Sequence, residues 1–129
     1  MIRAIIFDVV GVLQQGGLNQ QLVAYIRTEL KPHYRIGVLS SVGPGWLAEF
    51  LDKHQLHDLF DEAATVSPDG FVKPHPSAFL HIAEQLGCTP QECVMIDDSP
   101  DNCAGAEAVG MKSILYTSNE QCYRALGKV

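Results

Sequence analysis

Three short apolar runs constrain this chain more than any other feature: Ile2-Arg3-Ala4-Ile5-Ile6-Phe7, Arg35-Ile36-Gly37-Val38-Leu39 and Cys93-Val94-Met95-Ile96. Each is too short for a packed helix, is rich in β-branched residues and lacks a polar alternation, the pattern of a strand buried on both faces. Between them the apolar residues recur at helical spacing. Leu18, Leu22, Tyr25, Ile26 and Leu30 mark one helix that Pro32 ends. Trp46 to His54 mark a second, with Leu47, Phe50, Leu51 and His54 on one face. Phe79, Ile82, Ala83 and Leu86 mark a third, stopped at Gly87. Ser99-Pro100 opens a fourth that closes at Gly110, and Ser118 with Gln121 caps a last one. Glu62–Val66 and Lys112–Tyr116 read as two further strands, and Thr89-Pro90-Gln91-Glu92 as a capping box. Strands alternating with helices demand right-handed crossovers and a parallel sheet covered on both sides. The expected fold is a three-layer, Rossmann-like α/β domain over residues 1–129, with about five strands.

The runs share a second property: each ends on polar residues. Asp8 follows the first, Ser40-Ser41 the second, Asp97-Asp98 the third. A carboxylate at the exit of a buried strand is costly unless a cation or a reaction uses it. Ligands of parallel sheets bind at the carboxyl ends of the strands, so these groups converge although they are far apart in sequence. Lys73, in Lys73-Pro74-His75-Pro76, falls in a loop of the same edge. Two strand ends bearing acids point to a divalent cation held by oxygen ligands.

In order, Phe7-Asp8-Val9-Val10-Gly11-Val12-Leu13, Val38-Leu39-Ser40-Ser41, Lys73-Pro74-His75-Pro76 and Ile96-Asp97-Asp98-Ser99-Pro100-Asp101-Asn102 resemble the four motifs of the haloacid dehalogenase-like superfamily. The resemblance covers nearly the whole chain. It implies a phosphohydrolase or phosphotransfer activity in which Asp8 attacks a phosphoryl group and becomes an aspartyl phosphate. It implies Mg2+ as cofactor, held by Asp8, Asp98 and the Val10 carbonyl, with Asp97 a further ligand or a support beside them. Ser40, Ser41 and Lys73 would bind the phosphoryl group, and Lys73 would hold Asp8 ionised. Asn102 would orient the acidic loop.

Two departures from the family pattern matter. Most phosphatases of the family carry a second Asp where this chain has Val10, and that Asp protonates the leaving oxygen. Losing a general acid–base costs about 10²–10⁴-fold in rate, less when the leaving group departs as a stable anion. Only 26 residues separate Leu13 from Ser40, too few for the helical lid that relatives insert there. A capless site suits a large substrate, and dehalogenation proper is not expected, because its selectivity needs the lid. The expectation is a specialised or slow Mg2+-dependent hydrolase. The alternative is a catalytically impaired binding or interaction module on the same fold.

Composition limits the remaining readings. With 47% hydrophobic and 19% charged residues, the chain is globular. A net charge of −6 and the lack of a Lys/Arg cluster argue against nucleic acid. No apolar stretch reaches the length of a membrane span, and the N-terminus does not read as a signal peptide, so a cytoplasmic location is expected. Cys88, Cys93, Cys103 and Cys122 form no metal-binding spacing and read as packed thiols. His54 and His57 read as a solvent pair at a helix end, Gly16-Gly17 and Gly43-Pro44-Gly45 as turns, and Trp46 as core or loop packing. His75, beside Lys73, is a candidate replacement for the absent acid. Partners are a phosphorylated or activated substrate and, open on sequence alone, a second copy of the chain.

Overall fold

The computed structural model describes residues 1–129. Its centre is a five-stranded, wholly parallel sheet: β1 (Ala4–Phe7), β2 (Arg35–Leu39), β3 (Glu62–Ala64), β4 (Cys93–Asp97) and β5 (Lys112–Leu115), in the spatial order β3-β2-β1-β4-β5. The connecting helices are α1 (Gln20–Tyr25), α2 (Pro44–Lys53), α3 (Pro76–Gln85) and α4 (Pro100–Ala108), and α5 (Asn119–Leu126) follows β5.

Alternation along the strands sorts the core into two layers. Ile5, Phe7, Ile36, Val38, Val94 and Ile96 pack on α1, α2 and α5 through Leu22, Ile26, Phe50, Leu51 and Cys122. Ala4, Ile6, Cys93 and Met95 pack on α3 and α4 through Phe79, Ile82, Ala83 and Ala106. All four residues of β1 are fully buried, as a central strand of a covered parallel sheet requires. From β1 the chain moves outward through β2 and β3. It then crosses back to β4 on the other side of β1. This reversal creates a switch point between the carboxyl ends of β1 and β4, where such sheets bind ligands.

The expected elements are all present, with shifted ends. The first strand is Ala4–Phe7 and the third stops at Ala64, since Thr65 and Val66 already turn away toward the Ser67–Gly70 turn. Helix α2 begins at Pro44 rather than Trp46, with proline at the first helical position, where its missing N–H costs nothing. Helix α1 starts after Leu18, capped by the Asn19 side chain on the Leu22 N–H, and widens into a π turn over Ile26–Leu30 before Pro32. The capping box at Thr89 and Glu92 and the Ser118 cap on the Gln121 N–H are formed. The connection from β1 to α1 contains only two isolated bridges, Val10–Gln14 and Gln14–Leu18, and no cap domain. The four cysteines are buried and unpaired, and burial pushes the Cys93 and Cys122 thiols up to about 12.

Candidate active site

Strand register brings the first acids together. Phe7 pairs with Ile96, and the Asp8 N–H donates to the Ile96 carbonyl at 3.0 Å, so Asp8 and Asp97 leave adjacent strands at one level. Asp8 is in phase with Ala4 and Ile6, and Asp97 with Cys93 and Met95, on the side covered by α3 and α4. The loop that precedes α3 runs there, and it supplies Lys73.

The Lys73 ammonium donates to Asp8 Oδ1 at 2.8 Å and to Asp97 Oδ2 at 2.7 Å. All three residues are buried, at 5%, 7% and 0% exposure respectively. A buried charge survives only when paired and hydrogen-bonded, and this ammonium is paired twice. Asp97 is saturated by protein donors: Oδ2 also accepts from Asn102 Nδ2 at 3.1 Å, and Oδ1 accepts from the Ser99 N–H at 3.0 Å. Ser99 in turn caps α4 by accepting from the Asn102 N–H. The start of α4, Asp97 and Lys73 therefore form one connected support. Gly105 lets α4 approach the Lys73 segment, because a Cβ there would lie 2.6 Å from the Pro74 carbonyl oxygen.

Asp98 is built differently. It is exposed, and no protein group hydrogen-bonds its carboxylate. It lies over Gly11, whose φ is +94° and whose Cβ, if present, would sit 2.1 Å from Asp98 Oδ2. Only glycine satisfies both conditions. One oxygen from each of Asp8, Asp97 and Asp98 lies within 4.8 Å of the others. No backbone or side-chain donor reaches the Val10 carbonyl either. The donor set is thus all oxygen. With all three acids ionised, the form a bound cation favours, one ammonium leaves two negative charges, matching one divalent cation. A hard ion such as Mg2+ fits these donors.

Burial pushes the Asp8 carboxyl up to about 7, against the pull of Lys73 and with the help of neighbouring Asp97. Lys73 pulls the Asp8 carboxyl down, the expected direction, while desolvation pushes it up by more, and the one ammonium is shared with a second acid.

Opposite these acids stand Ser40 and Ser41, just beyond β2. Ser40 is buried; its N–H donates to the Ala64 carbonyl at 3.0 Å and its Oγ accepts from the Val42 N–H at 3.4 Å. Its hydroxyl hydrogen finds no protein acceptor, nor do the N–H groups of Val10 and Ser41. These three unpaired donors belong to residues that line a cavity of about 310 Å³, together with Asp8, Val42, Lys73, Asp97, Asp98 and Asn102. Every site residue expected from sequence lies on this cavity. The Val10 side chain is 54% exposed and puts an apolar surface beside the acids. Val42 was not anticipated; its place two residues beyond Ser40 was the available signal.

Other candidates fall away. His75 does not line the cavity; its Nδ1 accepts from the Ser77 N–H at the start of α3, and its ring stacks on Phe71. His54 packs edge-on against Phe50, and His57 pairs with Asp52, so they share no ligand position. Trp46, read as core or loop packing, is 39% exposed and stacked on Phe50.

The fold and the site together define a class: a parallel α/β hydrolase with acids, a buried lysine and a serine loop at the switch point of its sheet. Residues 17–110 match the family model of haloacid dehalogenase-like hydrolases, and the chain belongs to that family. The match takes in Ser40, Lys73, Asp97 and Asp98 and begins after Asp8, which register and Lys73 tie to the rest. The putative phosphatase YhcW of Bacillus subtilis is 32% identical over 92 residues, covering 71% of this chain and 42% of that protein. The chain spans about two fifths of the length of the curated relatives it matches, 42% and 38% for the first two. Among solved structures, an uncharacterized protein from Corynebacterium glutamicum superposes with a TM-score of 0.81 at 23% identity, over 98% of this chain and 94% of that one. A haloacid dehalogenase family enzyme of Bacteroides thetaiotaomicron, in complex with magnesium and inorganic phosphate, superposes with a TM-score of 0.77 at 16% identity, over 92% and 96%. These two likenesses concern the fold. No helix of the protein is long and apolar enough to cross a membrane.

Proposed function

We propose that this chain is a Mg2+-dependent phosphohydrolase or phosphotransfer enzyme that works through an aspartyl phosphate on Asp8. The observation that carries the reading is the division of labour among the acids. Asp97 is consumed by three protein donors, while Asp98, the Val10 carbonyl and the second oxygen of Asp8 are left for a cation. When bound, Mg2+ neutralises the approach of two anions and favours the ionised form of Asp8. Ser40 and the N–H groups of Val10 and Ser41 bind the phosphoryl oxygens, and Lys73 adds its charge from below. Asp97 and Asn102 hold Lys73 and the acidic loop in place.

In the first step an Asp8 oxygen forms a bond to phosphorus as the bond to the leaving oxygen breaks, and the electron pair goes to that oxygen. In the second, water bonds to phosphorus, its proton passes to solvent and the pair returns to the Asp8 carboxylate. The missing lid supports substrates large enough to cover the site themselves. Val10 supports the second reading, a binding module that has lost turnover, since no free proton donor stands beside the leaving group. The discriminating experiment is hydrolysis of acetyl phosphate and p-nitrophenyl phosphate with Mg2+, compared across the natural protein, Asp8→Asn and Val10→Asp. Turnover that Asp8→Asn abolishes is expected. An inert natural protein that Val10→Asp makes active would establish the module instead.

A further inference from the structure

The region of α2 next to the reaction cavity has a chemistry of its own. Trp46 stacks on Phe50 with ring centroids 5.4 Å apart and planes 7° from parallel, and Phe50 meets His54 edge-on at 4.9 Å. These three rings, with Gln14, Glu49 and Lys53, line a second recess of about 210 Å³. A pocket of about 150 Å³ accommodates benzene. The recess and the reaction cavity share no lining residue but are linked through the chain at two points. Val10 lines the cavity and is bridged by backbone to Gln14, which lines the recess. Val42 lines the cavity four residues before Trp46. Val10, through its bridge to Gln14, and Val42, four residues before Trp46, are therefore the apolar cavity residues linked to the exposed tryptophan.

Independently, the cavity offers a leaving group no proton. Its lysine bridges two carboxylates, Asp97 is saturated, Asp98 stands with the cation donors, and the position beside the scissile bond is Val10. A substrate must then release an oxygen that is stable as an anion, and a phenolic oxygen meets that condition where an alcohol does not.

We infer that the site takes aryl phosphates, with the phosphoryl group among Ser40, Lys73 and Asp8 and the aromatic ring carried over Val10 and Val42 onto Trp46. The inference rests on the phosphoryl-site reading above and names its substrate class. Phosphorus–oxygen cleavage then yields the aspartyl phosphate and an aryloxide, which leaves with the electron pair and needs no proton from the protein. The Trp46 subsite supplies the grip that a lid supplies elsewhere, through stacking of the ring on the indole face.

Trp46 is the chain's single tryptophan, so its emission reports occupancy directly. The probes are phenylphosphonate and methylphosphonate, which carry the same anion and cannot be cleaved, titrated into the protein with Mg2+ by calorimetry and by fluorescence. Phenylphosphonate is expected to bind about two- to tenfold tighter and to change the Trp46 emission, and Trp46→Leu to remove the preference while keeping methylphosphonate binding. Equal affinities with unchanged emission would overturn the aromatic subsite and leave the phosphoryl site standing. If neither phosphonate binds, the phosphoryl reading fails and the subsite with it. Should Trp46→Leu fail to fold, Trp46→Phe is expected to retain the preference by calorimetry, and its loss there would also overturn the inference.

Discussion

Replacing Lys73 by methionine keeps the unbranched stem in its buried channel and deletes the ammonium that lies 2.8 Å from Asp8 and 2.7 Å from Asp97. Two buried carboxylates are then left facing one another. Removing one partner of a buried ion pair costs about 3–5 kcal/mol. The cost has a ceiling, because a carboxyl group can take a proton instead. At pH 7, neutralising one acid of ordinary pKa about 3.9 costs about 4 kcal/mol, at 1.36 kcal/mol per pH unit. The expected loss at pH 8 is about 3–5 kcal/mol in all, the cost of breaking one buried pair, and a large part of the 5–15 kcal/mol of a typical domain. It has a definite pH sign. The ammonium stabilises only ionised carboxylates, and Asp8 ionises in the folded natural protein around 7. The folded variant retains protons that its unfolded chain releases, so its stability falls as pH rises. Urea unfolding of both proteins in EDTA, at pH 5.5 and 8.0 and followed by circular dichroism, measures this. A gap that widens toward pH 8 is expected. A loss equal at both pH values, or below about 1 kcal/mol, would refute the picture of Lys73 as the ionic keystone of the site.

Two further outcomes follow from the same geometry. Gly11→Ala would place a methyl group against Asp98 Oδ2 at a φ of +94°. The expected cost is about 1–2 kcal/mol in folding, and a Mg2+ affinity about 10–100-fold weaker, read by calorimetry against an otherwise folded protein. The stabilisation conferred by Mg2+ should also depend on pH. Burial raises the folded Asp8 carboxyl to about 7, well above its unfolded value. In EDTA this group's contribution is present at low pH and lost as pH climbs through about 7. A cation must displace that proton, so the rise in Tm on adding Mg2+ is expected to be small at pH 5.5 and larger at pH 8, and a shift independent of pH would contradict it.

Much of the site was legible because parallel sheets leave few choices. Once Ala4–Phe7 and Cys93–Asp97 are central neighbours, alternation alone puts Asp8 with Ile6 and Asp97 with Met95, facing the layer that carries Lys73. What separates Asp97 from Asp98 was less accessible. The first ends a strand and turns inward to three donors; the second begins the turn and faces the cavity, and that division depends on the Ser99 cap and on Gly11 beneath it. The desolvation of Asp8 was not legible, because sequence names the neighbours of a carboxylate but not its distance from water. Of the two placements open for Trp46, core or loop packing, the structure shows a partly exposed indole in the first turn of α2, stacked on Phe50.

The position of β1 has a consequence for how the protein is made. Its four apolar residues gain one neighbour from β2 but wait for the other until the ribosome reaches Ile96. At about 5–20 residues per second that interval is roughly 5–18 s, during which a fully apolar strand edge stands open to other chains. The strand that seats the reactive carboxylate is thus also the segment most in need of a chaperone, and mutations that delay docking of β4 should appear first as insoluble product.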